Sequence, residues 1–211
     1  MTSFKKISTI SALYGGLSYI GGIFVYLQLL KYDNATSASE QLAIIGNNPV
    51  LVHITTLLIY VIFSFAIILL ASYLYLKLKN KQPVLSLLSV ITGVVWATIL
   101  IASGFISMTV TTLLMNGTAA SELTSAWQAI DIISNALGGG NELMGGVFTG
   151  LVSLAMYKAR FSSMVTSILG ALVLLGGTIS ALPYLADIGI GIFVISQILW
   201  FFSLARDIRR N

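Results

Sequence analysis

Six apolar stretches alternate with short polar segments along the chain. They run at residues 8–30, 51–76, 84–115, 138–157, 164–182 and 188–204. A membrane-crossing helix needs about 20 predominantly apolar residues, because each residue adds roughly 1.5 Å along the helix axis. The pattern therefore predicts an all-α, polytopic membrane protein in which residues 1–211 form a single domain of six transmembrane helices.

The basic residues fall in four groups, each separated from the next by two apolar stretches. These groups contain Lys5, Lys6, Lys77, Lys79, Lys81, Lys158, Arg160, Arg206, Arg209 and Arg210. Only Lys31, of the eleven Lys and Arg residues, lies in an intervening loop. Because basic residues accumulate in short cytoplasmic loops, we expect a multi-pass protein of the cell (inner or plasma) membrane with both termini in the cytoplasm.

Composition and charge agree with this interpretation. The chain is 57% hydrophobic and only 9% charged, whereas about a quarter of the residues of a soluble domain are charged. The formal charge is +4, but Asp207 alone of the seven acids lies on the basic side. A positive cytoplasmic rim suits anionic lipid headgroups. We therefore expect the lipid bilayer as a partner and no nucleic acid.

Several kinds of chemistry are not expected. The chain has no cysteine and a single histidine, His53, so it offers neither disulfides nor the usual ligand set of a zinc site. It also contains no nucleophile elbow and no phosphate-binding loop. The sequence predicts no cofactor and no metal.

The polar segments between the stretches carry local signals. Ser37 and Glu40 have the spacing of a capping box, which predicts the start of a short helix. Asn116-Gly117 is expected to end the third stretch. Residues 118–137 either lie on the outer surface or re-enter the membrane. Trp200 is expected to anchor its helix at the membrane interface.

Glycine pairs recur in the first and fourth stretches. Gly15-Gly16 and Gly21-Gly22 correspond to Gly139-Gly140 and Gly145-Gly146 at a constant offset of 124 residues. The two stretches would cross the membrane in opposite directions, as in an inverted three-plus-three repeat. The alternative is helix packing, which small residues favour. The packing candidates are Gly15, Gly16, Gly21, Gly22, Gly145, Gly146 and Gly150.

The candidate chemistry lies near Glu142, at the predicted outer end of the fourth stretch. An ionisable group in hydrocarbon costs about 2.5–3.5 kcal/mol and is expected to have a partner or a function. Asn141, Asp131, Asn135 and His53 are predicted at a similar level and would complete an outward-facing polar pocket. Alternatively, Glu142 caps its helix, Asp131 faces water, and His53 bonds to a loop.

The stretch Leu137-Gly-Gly-Gly-Asn-Glu-Leu-Met-Gly-Gly-Val-Phe148 resembles the bacterial membrane proteins of the DUF4386 family, a domain of unknown function. The resemblance is clearest over Gly138–Arg160 and continues loosely to Arg206. Over the first three stretches it is one of hydropathy and spacing. It implies a six-span membrane fold and no particular activity.

Three classes of function are compatible with the sequence. The first is binding or transport of a small molecule, an ion or a lipid in a pocket near Glu142. The second is a structural or regulatory subunit. It would pack through its glycine-rich faces, either against copies of itself in a homo-oligomer or against a membrane partner protein. The third is an enzyme that uses Glu142 and Asp131 as an acid–base pair. The sequence favours the first two over the enzyme.

Overall fold

The computed structural model describes residues 3–139 and 141–211, without the side chains of Asn135 and Asn141. All regular structure in these residues is helical. The α-helices are α1 (Ser3–Ile23), α2 (Ala38–Asn47), α3 (Pro49–Thr56), α4 (Phe63–Leu78), α5 (Pro83–Met115), α6 (Ala120–Gly139), α7 (Asn141–Lys158), α8 (Met164–Ile179) and α9 (Ala186–Arg210). Two π-helical segments, Phe24–Leu29 and Leu57–Ile62, extend α1 and join α3 to α4. Short 3-10 turns lie at Tyr32–Asn34 and Pro183–Leu185.

The protein is a polytopic membrane protein. In the described part of the chain, four helical stretches are long and apolar enough to cross a bilayer: Ser3–Leu29, Pro49–Leu78, Pro83–Met115 and Pro183–Arg210. Helix α8 is apolar but shorter. Helix α5 ends at Met115 as expected, since Gly117 takes a φ of +91° that only glycine adopts without strain.

Six helices pack side by side in a closed ring. Helices α1, α4, α5, α7, α8 and α9 each contact the next, and α9 returns to α1. Helices α8 and α9 approach so closely that a Cβ added at Gly176 would lie 2.5 Å from the backbone nitrogen of Phe193. Small residues permit such backbone contacts between membrane helices.

Aromatic rings fill the interior of the ring of helices. Phe63 lies 5.5 Å from Trp96 and 5.9 Å from Phe201, and Phe148 lies 5.7 Å from Trp96 and 6.3 Å from Trp200 (ring centroids). The interface position expected for Trp200 is wrong. Its ring is fully buried and its Nε1–H donates to the Ser153 hydroxyl at 2.8 Å, so the indole is satisfied inside the bundle rather than by water.

The start of α1, the end of α9 and two of the basic turns meet at one end of the bundle, here called the basic end. The Lys81 ammonium donates to the carbonyl of Ala159 at 3.2 Å, which joins the two turns. The Asp207 carboxylate near the C-terminus accepts from the Ser163 N–H at 2.8 Å. Near the N-terminus, the Phe4 ring contacts the Tyr73 ring at 5.6 Å.

The opposite end carries a helical cap made of α2, α3, α6 and residues 104–115 of α5. Helix α5 has 33 residues, about 50 Å at roughly 1.5 Å per residue, which exceeds the hydrocarbon thickness by about 20 Å. Helix α6 runs back along α5 and packs on α2. The Trp127 Nε1–H donates to the Gln41 side-chain oxygen at 2.9 Å, so α6 is fastened to α2.

Most of the candidate packing glycines lie at helix contacts. An added Cβ would meet Phe201 at Gly15, Phe202 at Gly16, Ile59 at Gly22, Trp96 at Gly145, the Val173 backbone at Gly146 and Leu174 at Gly150. Gly21 makes no such contact within the chain, because a Cβ there would meet nothing within 4 Å. Gly140 lies outside the described residues, and the inverted repeat stays a prediction.

Candidate functional site

A cavity of about 500 Å³ lies between the cap and the ring of helices. Nearly every element of the cap end contributes to its wall. The lining residues are Tyr26, Tyr32, Ile45, Val52, Thr56, Tyr60, Ser103, Ser107, Thr111, Trp127, Asp131, Ser134, Glu142, Ser180, Ala186 and Ile190. Its size falls within the range of small-molecule sites, about 300–1,000 Å³.

Two carboxylates line this cavity, Asp131 from α6 and Glu142 from the first turn of α7. Asp131 follows the buried Trp127 by four residues, so both lie on the same face of α6. Glu142 is placed by the contacts of α7 with α5 and α8. Its Oε2 atom is buried and has no hydrogen-bond partner among the described residues. A role of Glu142 in capping α7 would therefore leave its Oε2 atom without a hydrogen bond among the described residues.

Hydroxyl groups form a polar stripe along one side of the cavity. Ser103, Ser107 and Thr111 follow one another at intervals of four residues on α5 and all line the wall, as expected for one helical face. Ser103 donates to the Ser134 carbonyl at 3.2 Å, and the Ser107 hydroxyl lies 3.5 Å from that of Ser134. Sequence reasoning missed this stripe, although its four-residue spacing is visible in the sequence.

Aromatic rings form much of the remaining wall. The Tyr26 and Tyr32 rings lie 5.8 Å apart with their planes at 90°, which makes an aromatic corner. Burial, and secondarily the nearby Asp131 carboxylate, raise the pKa of Tyr32, so its phenol stays neutral. Tyr26 and Tyr60 come from the two π-helical segments, a backbone form that is frequent at functional sites.

His53 does not join the two carboxylates on the cavity wall. It lies on a separate, shallow groove with residues of α5 such as Phe105 and Met108. Its Nδ1 is 2.7 Å from the hydroxyl of Thr111, which lines the cavity. The larger cavity therefore brings Glu142 and Asp131 together without His53 on its wall. The candidate side chains of Asn135 and Asn141 lie outside the described residues.

A second, smaller cavity of about 230 Å³ adjoins the first. Tyr60 and Glu142 line both, so the two spaces meet at these residues. The other lining residues are mainly apolar: Ser18, Tyr19, Gly22, Ile23, Ile59, Phe63, Leu100 and Val194. Beyond it, the fully buried rings of Phe148 and Trp200 occupy the interior toward the basic end.

The described residues hold no group of three or more His, Asp or Glu side chains suited to a metal ion. The wall offers instead two acids, several hydroxyls and a set of aromatic rings. Such a wall can bind a ligand by ionic pairing, hydrogen bonding and contact with aromatic faces.

A family model described as "Domain of unknown function (DUF4386)" matches residues 11–206. The chain therefore belongs to this family. The match begins in α1, so it covers the first three apolar stretches, where sequence inspection found a resemblance of hydropathy and spacing alone. No curated protein and no solved structure matches the chain.

Proposed function

We propose that this member of the DUF4386 family is a single six-span membrane domain with cytoplasmic termini, whose outward-facing cavity at Glu142 and Asp131 binds a small molecule, an ion or a lipid. Binding would be the first step of either transport or sensing. The aromatic packing below the second cavity closes the interior toward the basic end, so transport would require those rings to move.

The six-helix ring supports the proposed topology. Helices α7 and α8 have 18 and 16 residues, about 27 and 24 Å at roughly 1.5 Å per residue. Both pack within the ring beside helices that are long enough to span. The turns with the basic residues gather at one end, which suits the cytoplasmic side.

Single cysteines test this topology, since the chain has none of its own. Ser125→Cys on the exposed face of α6 should react with a membrane-impermeant thiol reagent applied to intact cells. Asn80→Cys, exposed in the turn after α4, should react only after the membrane is opened. The reverse pattern would invert the proposed orientation.

The buried Oε2 atom of Glu142, which has no hydrogen-bond partner among the described residues, carries the binding proposal. A buried polar atom without a hydrogen bond is costly, and natural proteins tolerate it mainly where a ligand, a water or an ion completes the bonding. Glu142 lies where the two cavities meet. A ligand in either space could therefore reach this carboxylate.

The alternative of a packing subunit receives less support. Six of the seven candidate packing glycines contact other helices of the same chain, so these small-residue faces are already occupied. Gly21 alone of the seven faces open space. An enzymatic role has no nucleophile or cofactor motif behind it and would rest on Asp131 and Glu142 only.

Thermal unfolding of the purified protein in the presence of metabolites, lipids and ions tests the proposal. A ligand should raise the melting temperature of the wild type and have a much smaller effect on Glu142→Gln. Glu122→Gln is the matched control, because Glu122 lies exposed on α6 and does not line the cavity. Stabilisation that persists in Glu142→Gln would place the binding site elsewhere.

A further inference from the structure

We infer that the ligand is an organic cation, a protonated amine or quaternary ammonium group that carries a small apolar arm. This inference rests on the proposed function and names the class of ligand for the same cavity. The cationic group would lie between Glu142, Asp131 and the tyrosine rings of the larger cavity, and the apolar arm in the smaller one.

The charge of the wall selects a cation. Of the described residues that line the larger cavity, two are acidic and none is basic. A carboxylate in a partly water-excluded site is stabilised by a partner of opposite charge, and the buried Oε2 atom of Glu142 has no hydrogen-bond partner among the described residues. A cationic group would provide one. An anionic ligand would meet like charge from both carboxylates.

The charges of the loops point the same way. In the proposed topology, the outer side carries Asp33, Glu40, Glu122, Asp131, Glu142 and Asp187 against Lys31 alone. Surfaces of one sign concentrate ligands of the opposite sign and can raise their local concentration by about 10-fold or more. The cap end would therefore attract cations to the cavity before they bind.

The aromatic corner favours an organic cation over a metal ion. Tyr26 and Tyr32 meet at 90° beside Asp131, and Tyr60 lies on the wall that Glu142 shares. Aromatic faces attract ammonium groups and form the cages that recognise quaternary amines. The described residues also lack a three-ligand metal cluster. Both observations favour an ammonium group.

The smaller cavity accounts for an apolar arm. Its volume of about 230 Å³ and its lining by Phe63, Leu100 and Val194 suit a phenyl or short alkyl group rather than a second charge. It begins at Glu142 and Tyr60, where the cationic group would lie. A compact amine with one apolar substituent would fill both spaces.

A cysteine in the larger cavity tests the preference for cations even before a ligand is identified. Ser107→Cys would be labelled in intact cells with a trimethylammonium-ethyl or a sulfonatoethyl methanethiosulfonate. The labelling rate with the cationic reagent would be divided by the rate with the anionic reagent. This ratio would then be normalised to the same ratio at Ser125→Cys, which is exposed on α6. We expect a normalised ratio of about 10 or more. It should fall several-fold in Glu142→Gln and stay unchanged in Glu122→Gln.

The outcomes separate the two proposals. If both reagents label Ser107→Cys at a normalised ratio near one, the cavity is open to the outside but the cation assignment is wrong. If neither reagent labels it while Ser125→Cys reacts, the cavity is closed to the outside and the proposed function itself is wrong.

Protection from labelling tests the shape of the ligand. Phenethylammonium should slow the labelling of Ser107→Cys by an uncharged thiol reagent, while 2-phenylethanol and phenylacetate should not. Equal protection by the neutral or the anionic compound would overturn the assignment of a cation. Protection by methylammonium but not by phenethylammonium would overturn the apolar arm.

Discussion

Asp207 is an acid buried near the C-terminus of α9, with 3% of its surface exposed. Its Oδ2 atom accepts hydrogen bonds from the Ser163 N–H at 2.8 Å, the Ser163 hydroxyl at 3.1 Å and the Thr166 hydroxyl at 2.5 Å. Ser163 is in turn the N-cap of α8. The carboxylate therefore holds the start of α8 against the end of α9, although an acid is unfavourable near the C-terminus of its own helix.

Asp207→Ala should strongly destabilise the protein. A hydrogen bond to a charged group contributes about 1.5–3 kcal/mol, and three donors would lose their acceptor at once. Relief of the unfavourable helix dipole returns up to about 1 kcal/mol. Because the Ser163 and Thr166 hydroxyls also bond to each other, and Thr166 to Ser203, we expect less than the simple sum, a net loss of about 3–5 kcal/mol in the free energy of unfolding. Asp207→Asn keeps one acceptor oxygen and should lose about 1–2 kcal/mol.

Thermal unfolding of the purified variants in one detergent measures this loss. In a chain of this size about 1 kcal/mol corresponds to roughly 2–4 °C, so Asp207→Ala should melt about 6–20 °C below the wild type. Asp187→Asn is the control, since Asp187 is exposed at the other end of α9 and should change stability by less than about 1 kcal/mol. Equal melting temperatures for Asp207→Ala and the control would refute the assigned role of Asp207.

Two further predictions concern packing and pH. Gly176→Ala should cost about 1–3 kcal/mol of stability, because its Cβ would lie 2.5 Å from the Phe193 nitrogen. Gly21→Ala should instead stabilise α1 by about 0.5–1 kcal/mol, because its Cβ would meet nothing within 4 Å. Chemical unfolding of the two variants compares these effects. Hydrogen bonds from the N–H and hydroxyl of Thr36 lower the pKa of Glu40. The stability that the ionised Glu40 carboxylate contributes should therefore be fully present above the ordinary carboxyl pKa. It should be lost as the pH falls through the lowered pKa of Glu40. Hydrogen exchange at the Thr36 amide in wild type and Glu40→Gln measures this, and an equal exchange rate at neutral pH would contradict it.

Much of the helical layout follows from local sequence. Pro83 lies at the first turn of α5, where its missing N–H is not needed, and Asn116-Gly117 ends that helix, as expected. The Ser37 hydroxyl accepts from the Glu40 N–H at the start of α2. The Glu40 carboxylate bonds mainly to the N–H and hydroxyl of Thr36, and it also interacts with the backbone of Ser37. Such signals act within one or two turns of chain and do not depend on the rest of the fold.

The candidate site was only partly visible in the sequence. Glu142 and Asp131 stood out because acids are rare in this chain, and both line the cavity. The tyrosines did not stand out, since aromatic residues are common in membrane helices. Tyr26 and Tyr60 reach the wall through π-helical segments, which add a residue to a turn and rotate the side chains that follow. Helical spacing could not predict that rotation.

The sequence alone determined the membrane class and the helical content, because hydropathy and helix-ending residues act along the chain. Only the tertiary structure decided which side chains share a cavity. His53 and Glu142 were expected at one level, yet His53 lines a separate groove with residues of α5. Trp200 lies in the core because Ser153 on α7 satisfies its indole. The rotation of each helix about its own axis depends on contacts between residues that are distant in sequence. Those contacts cannot be read from a single sequence.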